Sequence, residues 1–236
     1  MRLRHVWTLI LRALLLVCAV FLYFADRDKL DFTGLFHGDF GGWFLVVAWI
    51  VLVVGMAYRL IPNRRIAMGA RKHYACSYRA AGTGDGSSPD VQAERGLLHK
   101  GALLSGLGWL VCSITIFASI ALIGALTPAA LMVVVLVYAV GDVVFVLFFC
   151  PFRVIFMRNR CCTVCRIYNW DYFMMCAPMI LFPCVFSVSL VLLSAAVVIR
   201  WELALHKYPH FFMEETNENL RCSRCEDQLC MKKAQR

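Results

Sequence analysis

The sequence has little charge and no long polar segment. Of its 236 residues only 17% are charged while 61% are hydrophobic, and the mean hydropathy is +0.70. Such a balance excludes a soluble domain built round one buried core. No polar segment reaches about 40 residues, too short for an independent core without metal or disulfide support. Phosphate-cradling glycine loops, a dinucleotide fingerprint, a serine nucleophile elbow and paired catalytic carboxylates are all missing. Their absence disfavours an autonomous hydrolase or kinase. No internal repeat is found. No small-x-small cleavage site follows the first apolar run either, so Arg2, Arg4 and the run ending at Tyr23-Phe24-Ala25-Asp26 read as a retained signal anchor.

What the chain does have is apolar length. A bilayer core of about 30 Å takes roughly 20 apolar residues, and such runs lie at about 6–24, 41–61, 102–126 and 129–150. They predict an all-α, polytopic membrane bundle of about five or six spans, with a four-helix region over 1–150 and a flexible loop over 62–100. Lys and Arg collect on the cytoplasmic side. The N-terminus carries Arg2 and Arg4, and the 62–100 loop carries Arg64, Arg65, Arg71, Lys72, Arg79, Arg95 and Lys100. The 25–40 loop instead carries Asp26, Asp28, Asp31 and Asp39 against Arg27 and Lys29. The N-terminus is therefore placed inside. The net charge of +9 is accounted for by topology, so the expected partners are the lipid bilayer and another membrane protein or a second copy, not nucleic acid. Residues Ala80 to Pro89, rich in Gly and Ser, read as a flexible linker.

The module over 151–236 holds an apolar stretch at about 172–199, long for one crossing and short for two. Pro178 and Pro183 interrupt it. The favoured reading is a short or re-entrant helix over Asp171 to Phe182, then a full span from Val185 to about His206, which returns the tail to the side it left.

Of the 12 cysteines, six are grouped on polar, arginine-flanked segments: Cys161, Cys162 and Cys165 before the last apolar stretch, Cys222, Cys225 and Cys230 after it. Cys18, Cys112, Cys176 and Cys184 lie in apolar runs and read as small hydrophobes. Cys76 and Cys150 stand alone and read the same way. A C-x-x-C pair aims two thiolates at one centre, and two pairs make the S4 site that zinc prefers. Cys162 with Cys165 and Cys222 with Cys225 are the candidate pairs, and Cys161 and Cys230 as additional sulfurs admit an iron–sulfur cluster. Arg160, Arg166, Arg221 and Arg224 could offset the thiolate charge, or activate the same thiols for dithiol redox chemistry if no metal is held. A disulfide brace on the oxidising side is the third alternative.

Charges inside spans give a second lead. Asp142 sits about 12 Å from the inner end of the fourth span and Arg12 in the inner third of the first. Matching depths predict an Arg12–Asp142 pair, either fixing the packing or serving a transport path with the broken helix. Small residues from Gly101 to Gly108 allow close helix approach. Trp170 and Trp201, each beside charge, read as interface anchors. Asp171 and Glu202 are placed as acceptors near the thiols, with His206 and His210 as substitute ligands.

The segments Cys150-Pro151-Phe152, Asn159-Arg160-Cys161-Cys162-x-x-Cys165-Arg166-Ile167, Asn169-Trp170-Asp171, Ile199-Arg200-Trp201-Glu202, Glu215-Thr216-Asn217 and Cys222-x-x-Cys225, with Met174-Met175 and Pro178, resemble a family of uncharacterised bacterial multi-pass membrane proteins. The resemblance covers roughly the last 90 residues. It implies a bacterial inner membrane and supports treating the two cysteine clusters as one unit, and it brings no activity. The function expected on these grounds is a membrane component of a redox or sensing assembly holding zinc or an iron–sulfur cluster at its cytoplasmic face. A small transporter subunit and a membrane thiol oxidoreductase are the alternatives.

Overall fold

A computed structural model describes residues 2–34, 39–81 and 89–227. Seven α-helices run in the order α1 (Arg2–Ala25), α2 (Phe40–Leu60), α3 (Met68–Arg71), α4 (Pro89–Leu122), α5 (Pro128–Leu147), α6 (Asp171–Cys176) and α7 (Val185–Lys207). Five of them contain stretches long and apolar enough to cross a membrane: Leu3–Ala25, Phe40–Leu60, Gly96–Leu122, Pro128–Leu147 and Val185–Lys207. Among the described residues the only β-pairing is a single bridge between Ala80 and Asn217, so the protein is an all-α bundle.

Caps set where the spans begin. Asp39 accepts from the Gly42 N–H at 3.0 Å to start α2, and Thr127 accepts from the Ala130 N–H at 3.2 Å to start α5, with Pro128 in the first turn, where a missing N–H costs nothing. Helix α1 buries Arg12, Leu15, Ala19 and Leu22, spaced by three and four residues, and this stripe faces Met132, Val135, Leu136 and Ala139 of α5. Helix α2 packs against α7, with Ala48, Leu52 and Met56 in the same core as Leu190 and Val197.

The last apolar stretch is broken where the prolines predict. Helix α6 gives way at Ala177–Leu181 to a 3-10 segment with Pro178 in its first turn, and α7 starts after Pro183. Asp171 at one end pairs with Arg59 in the last turn of α2, while Cys184 at the other donates to Phe32 O at 3.2 Å, beside the α1–α2 turn. The broken piece thus runs the length of the bundle and α7 runs back, leaving both cysteine-rich segments at one end. Ser187 tends the freed backbone: its Oγ accepts from the Cys184 N–H at 2.9 Å and approaches Phe182 O at 2.8 Å. Cys184, which reads in the sequence as a small hydrophobe, is the N-cap of α7.

The 62–100 loop is not one flexible loop. Its first part, through Ala81, folds with the 158–170 and 208–227 segments into a cap on the end of the bundle. Ala81 N–H donates to Thr216 O, Glu218 N–H to Arg79 O and Asn219 Nδ2 to Ser77 O. Each segment alone is too short to make a core, but together they bury Lys72, His73, Trp201, Phe211 and Phe212. The linker expected over Ala80 to Pro89 lies mostly outside the described residues. Helix α4, by contrast, is peripheral. Gly101 and Gly108 bring it against Met157 and Phe156, where a Cβ would crowd that segment, and further along Ser113 Oγ lies 3.2 Å from the Tyr138 hydroxyl of α5.

Candidate functional site

The expected pair, Arg12 and Asp142, is formed and belongs to a buried cluster in the capped half of the bundle that also holds Arg59, a residue the sequence reading did not single out. Arg12 donates to Asp142 at 2.9 Å, to Ala139 O at 2.7 Å and to the Tyr172 hydroxyl at 3.0 Å. Arg59 clamps Asp171 through two bonds of 2.5 and 2.6 Å, reaches Asn169 at 3.0 Å and lies over the Tyr172 ring. Tyr172 fits between the two arginines because α2 has no side chain at Gly55, where a Cβ would collide with the phenol oxygen. Asp171 is therefore committed to Arg59 and does not converge with the thiols.

Glu202 accepts from Arg166 at 2.7 and 2.5 Å and from Trp170 Nε1 at 2.7 Å. Trp201 is fully buried in the cap, donating to Arg166 O at 2.8 Å, and so is not an interface anchor. The other arginines expected to offset thiolates are also occupied. Arg160 pairs with Glu214 and Arg224 with Glu218, while Arg221 donates to the carbonyls of Glu214 and Glu215. His210 packs edge-on against Tyr78, and His206 is exposed on the last turn of α7.

The six grouped cysteines divide into two sets. Cys161 has an extended backbone (φ −143°, ψ 151°), and successive side chains on extended backbone point to opposite faces, so Cys161 and Cys162 part company. Cys161, Cys222 and Cys225 line a small cavity of about 20 Å³ at the rim of the cap, beside Arg160 and Glu214. Cys162 and Cys165 are buried on the other side, where they share the lining of a larger cavity with Cys150. The Cys162–Cys165 segment is a single 3-10 turn closed by the Cys165 N–H on Cys162 O at 3.0 Å. Cys230 lies outside the described residues. Among the described residues no three His, Cys, Asp or Glu side chains are grouped to hold one metal ion, so the four-sulfur set Cys162, Cys165, Cys222 and Cys225 is not assembled at one centre.

Cys150 is the residue that sequence reasoning passed over. It immediately precedes Pro151, a residue that commonly opens a helical turn, and this is the signal that marks it. The turn that follows is a wide π-type turn over Phe152–Phe156, and its first N–H groups point back at the sulfur: Arg153 N–H donates to Cys150 Sγ at 3.4 Å. The chain then turns sharply at Arg158, a non-glycine residue with φ +50°, to deliver the cysteine segment beneath Cys150. Cys162 lines the same cavity as Cys150. The neighbouring Cys162 thiol, with help from the Phe152 and Arg153 N–H groups, brings the Cys150 thiol down from 9.0 to about 7. The Cys150 sulfur and burial push the Cys162 thiol up. A thiolate facing a protonated thiol is the arrangement of a nucleophile and its resolving partner.

The cavity above this pair measures about 540 Å³ and occupies the gap between α4 and α5, floored by α6. Trp109, Phe145, Phe152, Phe156, Met174 and Met175 line it together with the polar Ser113, Tyr138, Asp142 and Asp171. Trp109 Nε1 is shielded and has no acceptor.

Lys72 closes the cap side. Its ammonium is fully buried, donates to Cys165 O at 2.9 Å and Thr163 O at 3.2 Å, and lies over the rings of Trp201 and Phe212. Burial brings its pKa down from 10.5 to about 7. Between those values the unfolded chain binds a proton that the folded cap does not, so stability rises with pH across that window and is lower once both forms are protonated. Thermal unfolding in detergent should therefore show a midpoint a few degrees higher at pH 9 than at pH 7. A Lys72→Met variant, less stable throughout because two carbonyls lose their donor, should lack that rise.

No protein-family profile, curated protein or solved structure matches the chain. The functional reading rests on these side chains.

Proposed function

We propose that this chain is an integral membrane protein that performs thiol–disulfide chemistry through Cys150 and Cys162. The observation that carries the reading is that Cys150, whose sulfur accepts from the Arg153 N–H at 3.4 Å, and Cys162 line one cavity between membrane-length helices. Cys150 is the nucleophile, and Cys162 resolves the mixed disulfide that Cys150 forms. The loop charges support placing this end of the bundle on the cytoplasmic side, and the resemblance supports a bacterial inner membrane. The test is reaction of the detergent-solubilised, reduced protein with an aromatic disulfide reagent, followed by peptide mass mapping. The native protein should end with Cys150 bonded to Cys162, Cys162→Ser should retain the reagent on Cys150, and Cys150→Ser should leave Cys162 unlabelled. Equal labelling of both thiols with no bond between them would remove the reading.

A second reading is favoured by Cys161, Cys222 and Cys225 lining one small cavity, with Cys230 five residues beyond Cys225 in sequence. No three of the described side chains are grouped to hold one ion, so a zinc brace here would have to draw these thiolates together on binding, and iron–sulfur ligation would call on the same residues. Metal analysis of anaerobically purified protein should then find one zinc ion per chain that Cys222→Ser releases. Iron with sulfide and broad visible absorption would indicate a cluster, and no metal would leave the thiol reading alone.

A further inference from the structure

The open cavities at the two ends of the bundle carry opposite charge. Away from the cap, Asp26, Asp28, Asp31 and Asp39 line one of about 280 Å³ with Lys29 as its cation. At the capped end a cavity of about 640 Å³ opens between the start of α1, the end of α2 and the 65–67 segment, a volume inside the roughly 300–1,000 Å³ of small-molecule sites. Among the described residues no carboxylate lines it, and its polar groups are Arg4, His5, Thr8, Tyr58, Arg59 and Arg65. Arg59 is neutralised by Asp171, and Thr8 donates to Arg4 O at 2.9 Å. The nearby Asp142 is matched by Arg12. Arg4 and Arg65, by contrast, form no ion pair among the described residues. They are held together all the same: Arg4 donates to Arg65 O at 2.6 Å, and the Arg65 N–H donates to Asn63 Oδ1 at 2.8 Å. Two guanidinium groups beside one void, with their charge unmatched, select an anion.

The depth of the cavity says which anion. Arg4 and His5 begin the Leu3–Ala25 span and Tyr58 and Arg59 end the Phe40–Leu60 span, so the cavity lies where lipid headgroups lie. Trp7, one turn along α1 from Arg4, is 65% exposed, as an aromatic anchor at that level should be, and Ile61 at the end of α2 is exposed as well. Helix α1 packs on α5 and α2 on α7, so these consecutive helices make little contact with each other and their ends stay apart at the cavity. Its floor is closed at Gly55, where the Tyr172 hydroxyl sits, so an occupant enters from the membrane surface and does not pass through the bundle. We propose that this cavity binds the phosphate of an anionic phospholipid. Arg4 and Arg65 donate to the phosphate oxygens, a geometry that guanidinium groups favour, His5 and Tyr58 face the rest of the headgroup, and the acyl chains stay in the bilayer beside Trp7. A bound lipid would tie the first span to the basic segment that enters the cap. The site shares no lining residue with the cysteine cavity and stands apart from the thiol reading.

The test titrates the full chain in detergent with phosphatidylglycerol, and separately with phosphatidylcholine of the same acyl chains, and counts bound lipid by native mass spectrometry. One phosphatidylglycerol per chain should bind, at a half-saturating concentration about tenfold below that of phosphatidylcholine. Arg4→Gln and Arg65→Gln each remove an exposed charge outside the core, so the lipid-free variants should unfold at the native midpoint. Each should raise the half-saturating concentration of phosphatidylglycerol about tenfold. Arg27→Gln, in the loop at the opposite end of the bundle, should leave it unchanged. Equal binding of the two lipids, or an Arg27→Gln effect as large as that of Arg4→Gln, would mean diffuse attraction and overturn the site. Glycerol 3-phosphate and inorganic phosphate serve as competitors, and neither should displace the lipid at the lipid's own half-saturating concentration. Displacement by either at that concentration would assign the cavity to a soluble phosphate compound and overturn the phospholipid.

Discussion

Replacing Arg59 by methionine is expected to destabilise the protein by roughly 3–5 kcal/mol, because it strands a carboxylate where water barely reaches. Arg59 and Asp171 are 14% and 10% exposed at their side chains, and the guanidinium holds both carboxylate oxygens. Methionine keeps much of the volume but removes the charge and also the donor to Asn169 Oδ1 at 3.0 Å. The loss should appear as a large drop in the thermal midpoint of detergent-solubilised protein. Adding Asp171→Asn to the same chain should recover most of it, since an amide in that place carries no charge to strand. The coupling between the two sites is the quantity to read from the cycle. A midpoint unchanged by Arg59→Met would mean that the pair is hydrated and that α6 is not anchored to α2 through it.

Trp201→Ala is expected to cost a comparable amount, about 3–5 kcal/mol, by opening a cavity under the cap. The indole is fully buried, donates to Arg166 O at 2.8 Å, meets Phe212 edge-on at 4.7 Å and is the ring beneath the Lys72 ammonium. Its removal loosens the segment that carries Cys162 and Cys165, so those buried thiols should also react faster with maleimide. Unfolding at the native midpoint with Cys162 and Cys165 still protected would contradict a cap built round this side chain.

The spans were legible because twenty apolar residues in a row have few other uses, and the break was legible because Pro178 and Pro183 cannot donate to a helix. Arg12 and Asp142 were legible for a similar reason: each is a charge alone in an apolar run, and their depths match. The cap was not. Its core comes from three polar segments far apart in sequence, and a window moved along the chain meets Lys72 as one more surface lysine. The division of the cysteines was hidden for a different reason. Whether Cys161 and Cys162 share a face depends on the backbone angles at Cys161, which are set by what the segment packs against and not by the spacing of cysteines. Cys150 was hidden by its isolation in sequence, although the Pro151 that follows it announces the turn whose N–H groups reach its sulfur.

The most direct test is the redox equilibrium of Cys150 and Cys162. The protein would be equilibrated anaerobically in thiol–disulfide buffers of graded potential, quenched with alkylating reagent and mapped by mass spectrometry. The account predicts that Cys150 and Cys162 lose their alkyl labels together, in a single two-electron transition, and are recovered as one cross-linked peptide pair. Independent alkylation of the two thiols at every potential, or a bond from Cys162 to Cys161 or Cys165 in place of Cys150, would contradict it.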